Sequence, residues 1–201
     1  MPTKATASKS SPRERLLAAA DELFYSEGVQ TVGIDRIVQK AGVAKASLYN
    51  LFGSKEELVQ AYLDARHDRT REQIERVLTR FRTPRERLLG VFDGQGQLFT
   101  EPGFNGCAHM TASAEVRPGS PVEGAADRYR LWVRTLFTDL AREADVADPE
   151  ELARQLHLLY DGAGISARMD RDPSAATTAR AAATALFDAA VKDKEPVDAG
   201  Q

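Results

Sequence analysis

Apolar side chains recur along most of the chain every three or four positions, with polar ones between them. That is the period of helices lying against a core. In "RLLAAADELFYSEG" Leu16, Leu17, Ala20, Leu23 and Phe24 share one face, and Gly28 follows as a stop. Helix starts are marked as well: Ser11-Pro12-Arg13-Glu14, Ser54-Lys55-Glu56-Glu57 and Thr83-Pro84-Arg85-Glu86 repeat one local grammar. In each, the hydroxyl accepts from the N–H three residues on and the glutamate reaches back; a proline at the first helical position loses no needed donor. The pattern predicts helices over 12–27, 54–81, 84–100, 105–116, 121–144, 149–168 and 174–191, separated by "EPGFNG", "RPGSP", "DVADP" and "RDPS". Two short helices precede the long one, carried by Ile34, Ile37, Val38 and Ala41 and then by Leu48 and Phe52. No segment alternates at period two, so an all-α fold is expected, with disordered ends at roughly 1–10 and 192–201.

The stretch "QKAGVAKASLYN" breaks one short helix at Gly42 and restarts another at once. Two helices joined through a glycine in this way are not collinear, and Val43 is expected to tuck beneath the turn. The geometry is a helix-turn-helix. Leu48 and Phe52 hold its second helix from beneath, leaving Lys45, Ala46, Ser47, Tyr49 and Asn50 outward. Small residues let a backbone approach the floor of a DNA major groove, where Lys45 can donate to guanine and Ala46 can touch a thymine methyl.

The run "GIDRIVQKAGVAKASLYNLFGSKEELVQAYL", with Gly28 before it, resembles the DNA-binding domain of TetR/AcrR-type transcriptional regulators. The matching positions are Ile37, Ala41-Gly42-Val43, Leu48-Tyr49, Phe52 and Ser54-Lys55; Leu51 departs, standing where the family usually has histidine. The resemblance implies phosphate contacts from Tyr49 and Lys55, and bases read by Lys45, Ala46 and Ser47. Gly33, at the start of the second helix, is placed to offer its N–H to a phosphate. Arg36 is either a further phosphate ligand or a surface charge. The implied organisation is a helix-turn-helix domain at 1–55 with a flexible arm bearing Lys4 and Lys9, then a ligand-binding and dimerisation bundle at 56–201. The partners implied are double-stranded DNA with a palindromic operator, a second copy of the chain and a small-molecule effector, and the protein is a repressor in that reading.

Composition narrows the rest. The chain has 201 residues, 42% hydrophobic and 28% charged, with a net charge of −3. Residues 1–60 are slightly basic, which permits a basic face there despite the acidic total. No apolar run suits a membrane span and the first residues lack the apolar centre of a signal peptide, so a cytoplasmic protein with no membrane partner is expected. A single cysteine, Cys107, excludes an internal disulfide, and His67, His109 and His157 are scattered. Neither an enzyme, a metal site nor a cofactor is indicated.

Rings and apolar residues cluster in the middle helices, and a pocket for a hydrophobic or aromatic effector is expected among Phe92, Phe99, Phe104, Cys107, Met110, Tyr129, Trp132 and Leu136. Gly90, Gly94 and Gly96 fall in one helix, which is either closely packed or soft. Cys107 is expected in the first turn of a helix, where the dipole lowers a thiol pKa; it is a sensor thiol or a small buried hydrophobe. In the last two helices, Leu152, Leu156, Leu159 and Ala163 form one stripe and Ala179, Ala183, Leu186 and Phe187 another. Such stripes either cover the chain's own core or meet a second copy about a twofold axis, and the interface is the expected role.

Overall fold

The computed structural model describes residues 10–117 and 119–192, the last by its backbone alone. Nine helices and no strand are found among the described residues: α1 (Pro12–Glu27), α2 (Ile34–Ala41), α3 (Lys45–Phe52), α4 (Lys55–Leu78), α5 (Pro84–Phe99), α6 (Ala108–Glu115), α7 (Pro121–Glu143), α8 (Pro149–Met169) and α9 (Ala175–Lys192). The expected disordered ends, with Lys4 and Lys9, lie outside the described residues apart from their inner margins.

Helix starts follow the hydroxyl grammar. Ser11 and Thr83 form complete capping boxes with Glu14 and Glu86. Ser54 accepts from the N–H of Glu57 in the ordinary one-way cap, and Ser120 and Asp148 cap α7 and α8 in the same manner. By contrast α2, α3 and α6 begin at Gly33, Ala44 and Cys107 with no side-chain cap.

Two apolar cores form. The first joins Leu16, Ala20, Phe24, Ile37, Leu48 and Phe52 of α1–α3 to Leu58, Tyr62 and Leu63 of α4, and it also takes in Ala108, Ala112, Val122 and Ala125. The second runs from Ile74 and Leu78 through α5, α7, α8 and α9. The cores therefore divide within α4, between Leu63 and Ile74, rather than at residue 55. That one rigid helix belongs to both.

The glycines of α5 belong to a closely packed helix. A Cβ on Gly90 would stand 2.3 Å from the Phe81 ring, one on Gly94 3.2 Å from Ile74, and one on Gly96 3.0 Å from the Cβ of Ala176. Side chains there would push α5 off α4 and α9.

The faces of α8 and α9 expected outside are turned inward. Leu152, Leu156, Ala163, Ala179, Ala183 and Phe187 are buried in this chain's own core, and Leu159 and Leu186 pack half-buried against it. The stripes are real, but they cover the monomer. The outer face of α8 carries Leu158 at 73% exposure, Gly162, Ile165 at 43% and Met169 at 75%, again at helical spacing. Exposed Ala182, Ala185 and Ala189 lie on α9.

Candidate nucleic-acid interface and effector cleft

Gly42 ends α2 in the left-handed conformation, φ 61° and ψ 42°, which glycine adopts without steric cost. Its N–H and that of Val43 return to the carbonyls of Gln39 and Val38, closing the turn. From α1, the Arg15 guanidinium donates to the carbonyls of Ala41 and Gly42, at 3.2 Å each, and Arg13 lies over the Phe52 ring at 5.1 Å. The first helix thus holds the turn of the motif and the C-terminal end of its second helix. Leu48 is fully buried and Phe52 nearly so, which fixes the opposite face of α3 outward.

On that face Lys45, Ala46, Tyr49 and Asn50 are exposed, and Ser47 and Lys55 are partly so. Exposed Gly33 heads α2 with φ −81°. Because α2 and α3 lack side-chain caps, no capping side chain competes for the N–H groups at the positive ends of these two helices. That is how a backbone receives phosphate. The cations nearby are already engaged: Lys45 pairs with Asp35 at 2.8 Å, Arg36 with Glu27 at 2.6 Å and Lys40 with Glu22 at 2.6 Å. The hydrogen bond that Lys45 donates to Asp35, and the charge of that carboxylate, hold the Lys45 ammonium pKa above the usual lysine value. Lys55 has no carboxylate partner among the described residues. Arg36 is pulled toward Glu27, which supports the surface-charge alternative for it.

Behind this motif a cavity of about 880 Å³ opens between α1 and the bundle. Phe99, Phe104, Cys107, Met110 and Tyr129 are among its lining residues. Phe92 is not: it is fully buried against Phe137 and Tyr160. Trp132 and Leu136 pack half-buried on the second core, Trp132 beside His67 and Tyr129, outside the lining. Tyr25 from α1, Arg66 from α4, Gln95, and Tyr160 and Arg168 from α8 complete the wall. No spacing within one helix signals the whole set, because the cavity draws its wall from α1, α4, α5 and α8 together.

One wall ties the two units together. The Tyr25 hydroxyl donates to the Gly106 carbonyl at 3.0 Å and accepts from the Asn105 N–H at 2.8 Å, and Asn105 Nδ2 donates to the Tyr25 carbonyl. Arg66 forks onto Asp21 and stacks over Tyr25 at 3.5 Å. From α6, the Glu115 carboxylate accepts from the N–H of Gln30 at 2.8 Å.

Of the two readings of Cys107, its surroundings support the small hydrophobe over the sensor thiol. It stands at the N-cap, before α6, and burial pushes its pKa up against the opposing backbone hydrogen bonds of Met110 and His109. Desolvation outweighs the dipole, which disfavours the thiolate at neutral pH. His109, stacked on Tyr129 with centroids 4.1 Å apart, bonds the Leu63 carbonyl and is lowered by burial to about 4. Among the described residues no group of three or more His, Cys, Asp or Glu is placed to hold a metal, and no helix is long and apolar enough to cross a membrane.

Comparison with known proteins agrees with this geometry. Residues 16–62 match the family described as bacterial regulatory proteins, tetR family. A crystal structure of a TetR-family transcriptional regulator from Streptomyces coelicolor is 32% identical with a TM-score of 0.83, covering 90% of this chain and 96% of that one. The HTH-type transcriptional repressor NemR of Escherichia coli is 27% identical over 172 residues, 79% of this chain and 85% of that protein. The crystal structure of its reduced form covers 87% of this chain and 97% of that one with a TM-score of 0.74. With the uncapped helix-turn-helix on one side and full-length relatives that are regulators and not enzymes on the other, this chain is a DNA-binding transcriptional regulator of the TetR family.

Proposed function

We propose that the protein is a cytoplasmic, homodimeric repressor that leaves a palindromic operator when a hydrophobic or aromatic effector enters the cavity behind its helix-turn-helix. The observation that carries this reading is the cavity wall itself. Tyr25, one of the lining residues, sits on α1 and is hydrogen-bonded to the Asn105–Gly106 turn, so a molecule that moves this turn moves α1. Since α1 clamps the helix-turn-helix through Arg13 and Arg15, α2 and α3 move with it. An effector with different affinity for two such shapes shifts the DNA-competent population without any chemistry.

In this reading Lys45, Ala46 and Ser47 meet base edges, and Asn50 lies beside them. Gly33, Tyr49 and Lys55 meet phosphates. Dimerisation uses α8 and α9, through the outward residues Leu158, Gly162, Ile165 and Met169 rather than the buried stripes. Two recognition helices about a twofold axis require sites of twofold symmetry. Selection from random DNA should return approximate palindromes. Bound aromatic molecules should raise the melting temperature while lowering operator affinity. Selected sites without symmetry, or ligands that stabilise the protein and leave DNA binding untouched, would overturn the proposal.

A further inference from the structure

The deep wall of the cavity is electrically neutral. Gln95, Phe99, Tyr129 and Tyr160 are each more than nine-tenths buried there. Charged groups of the lining are paired or lie outward: Arg66 with Asp21 at 2.6 Å and Asp161 with Arg130 at 2.7 Å, while Glu101 and Arg168 are exposed. Burial raises both phenol pKa values, so each hydroxyl keeps its proton at neutral pH. An ionised ligand entering this end would lose its hydration with no countercharge to replace it.

Two polar features remain unsatisfied in that wall. The hydroxyls of Tyr129 and Tyr160 lie 3.3 Å apart, and their mutual bond uses one of their two protons. The other proton is spare. Nε2 of Gln95 donates to the Tyr160 carbonyl at 2.7 Å, which fixes the amide orientation because a carbonyl only accepts. Oε1 of the same amide is then buried without a hydrogen-bond partner. Buried polar atoms of this kind are exceptions that call for an explanation, and a ligand that brings a donor to this oxygen supplies one without disturbing the Tyr160 bond.

We propose that the cavity takes a neutral aromatic molecule carrying a hydroxyl, whose oxygen accepts the spare proton of the Tyr129–Tyr160 pair and whose own proton goes to Oε1 of Gln95. It rests on the reading of this cavity as the effector site. The hydroxyl is the smallest group that answers both needs at one atom, and rings pack on Phe99 and Tyr129.

The test is calorimetric titration of the full chain with 2-naphthol, with 2-methylnaphthalene, which puts a methyl in place of the hydroxyl, and with 2-naphthoate, which is anionic at neutral pH. 2-Naphthol should bind about tenfold more tightly than 2-methylnaphthalene, the yield of one or two net hydrogen bonds, and 2-naphthoate should bind most weakly. In the double variant Tyr129→Phe, Tyr160→Phe, which loses two hydroxyls and no ring, that preference should fall below about threefold. Equal binding of 2-naphthol and 2-methylnaphthalene by the unaltered protein overturns the inference, and needs no variant to fold. So do a preference that survives in the double variant, tightest binding of 2-naphthoate, and binding of none of the three. Operator affinity measured in the same samples separates this from the effector reading. Selective 2-naphthol binding that leaves DNA affinity unchanged would sink that reading alone; DNA release by both neutral compounds equally would sink the hydroxyl requirement alone.

Discussion

The recognition helix and the C-terminal hairpin each turn one face outward, and the two faces are of opposite chemistry. α3 exposes Lys45, Ala46, Tyr49 and Asn50, and the cations around it are held by Asp35, Glu27 and Glu22 within the same chain. α8 exposes Leu158, Ile165 and Met169. A surface of paired ions binds by exchanging partners, so its net gain is modest and salt weakens it. An apolar stripe associates by leaving water, and salt screens nothing there. If both faces bind as proposed, one chain carries a contact that a small signal can undo beside a contact suited to permanence.

The largest expected effect separates inside from outside on the hairpin. Ala183 is fully buried and packs in the bundle core, so Ala183→Glu puts an unpaired carboxylate there. It should cost on the order of 3–5 kcal/mol and lower the melting temperature sharply or prevent folding. Leu158→Glu places the same charge on the outer stripe and should leave the monomer's melt nearly unchanged while sedimentation shows the dimer dissociating. Folded Ala183→Glu dimers, or Leu158→Glu dimers as firm as the parent, would reverse the assignment of faces.

A second effect lies at the junction of the two cores, where His109 is stacked on Tyr129 and lowered to about 4 from an unfolded value of 6.5. The unfolded chain binds the proton more readily than the fold does. Stability is therefore full above about pH 6.5 and falls as pH drops toward 4, by on the order of 3 kcal/mol from this group. His67 and His157 are shifted down as well, by burial, and act in the same direction. His109→Phe keeps a ring against Tyr129 and removes the proton, so denaturant midpoints between pH 6.5 and 4 should become flatter. An unchanged pH slope would mean that His109 titrates in the fold as it does in water.

The legibility of these regions in the sequence differs for a physical reason. α3 has its buried residues four apart, Leu48 and Phe52, and apart from exposed Leu51 and Tyr49 the rest are small or polar, so its inner face is legible from the spacing. α8 is apolar on two sides. Its period reveals that Leu152, Leu156 and Ala163 share a stripe, but only packing against α5, α7 and α9 tells which stripe the core takes. The cavity is less legible still. Phe99 and Tyr129 are readable as rings among rings, whereas Tyr25 and Gln95 enter the wall because of how separate helices cross. Cys107 is readable as lying near a helix start, and its partial burial against the core is not.

At the DNA face the expected effects are smaller because each new interaction replaces an existing pair. Lys45→Ala should cost about 1–3 kcal/mol on the best operator, less the Asp35 pair it already forgoes, and relax preference at one base pair per half-site. Asp35→Asn frees the same lysine. It should tighten binding to operator and to scrambled DNA alike, by a few fold, with a steeper salt dependence. Salt titrations of both variants check this, and a loss in Lys45→Ala that is equal on operator and scrambled DNA would remove the lysine from the base-reading set.

The smallest effects belong to Lys55 and Tyr49, and they sharpen the contrast most finely. Lys55 opens α4, where the helix dipole already gathers positive charge, so in the free protein a lysine there is slightly unfavourable. A phosphate reverses that sign. Lys55→Ala should thus leave stability unchanged or raise it by a few tenths of a kcal/mol, yet weaken binding to every sequence. The slope of log affinity against log salt should become shallower by about one unit for each phosphate that a subunit no longer neutralises. Tyr49 is 44% exposed beside the same end of the motif, and Tyr49→Phe removes a donor without removing charge. Its effect should be about 0.5–1.5 kcal/mol, the same on operator and scrambled DNA, with the salt slope intact. A Lys55→Ala variant weakened on the operator alone would make this lysine a reader of sequence, and a flattened slope in Tyr49→Phe would mean that the ring positions a cation instead of meeting the phosphate itself.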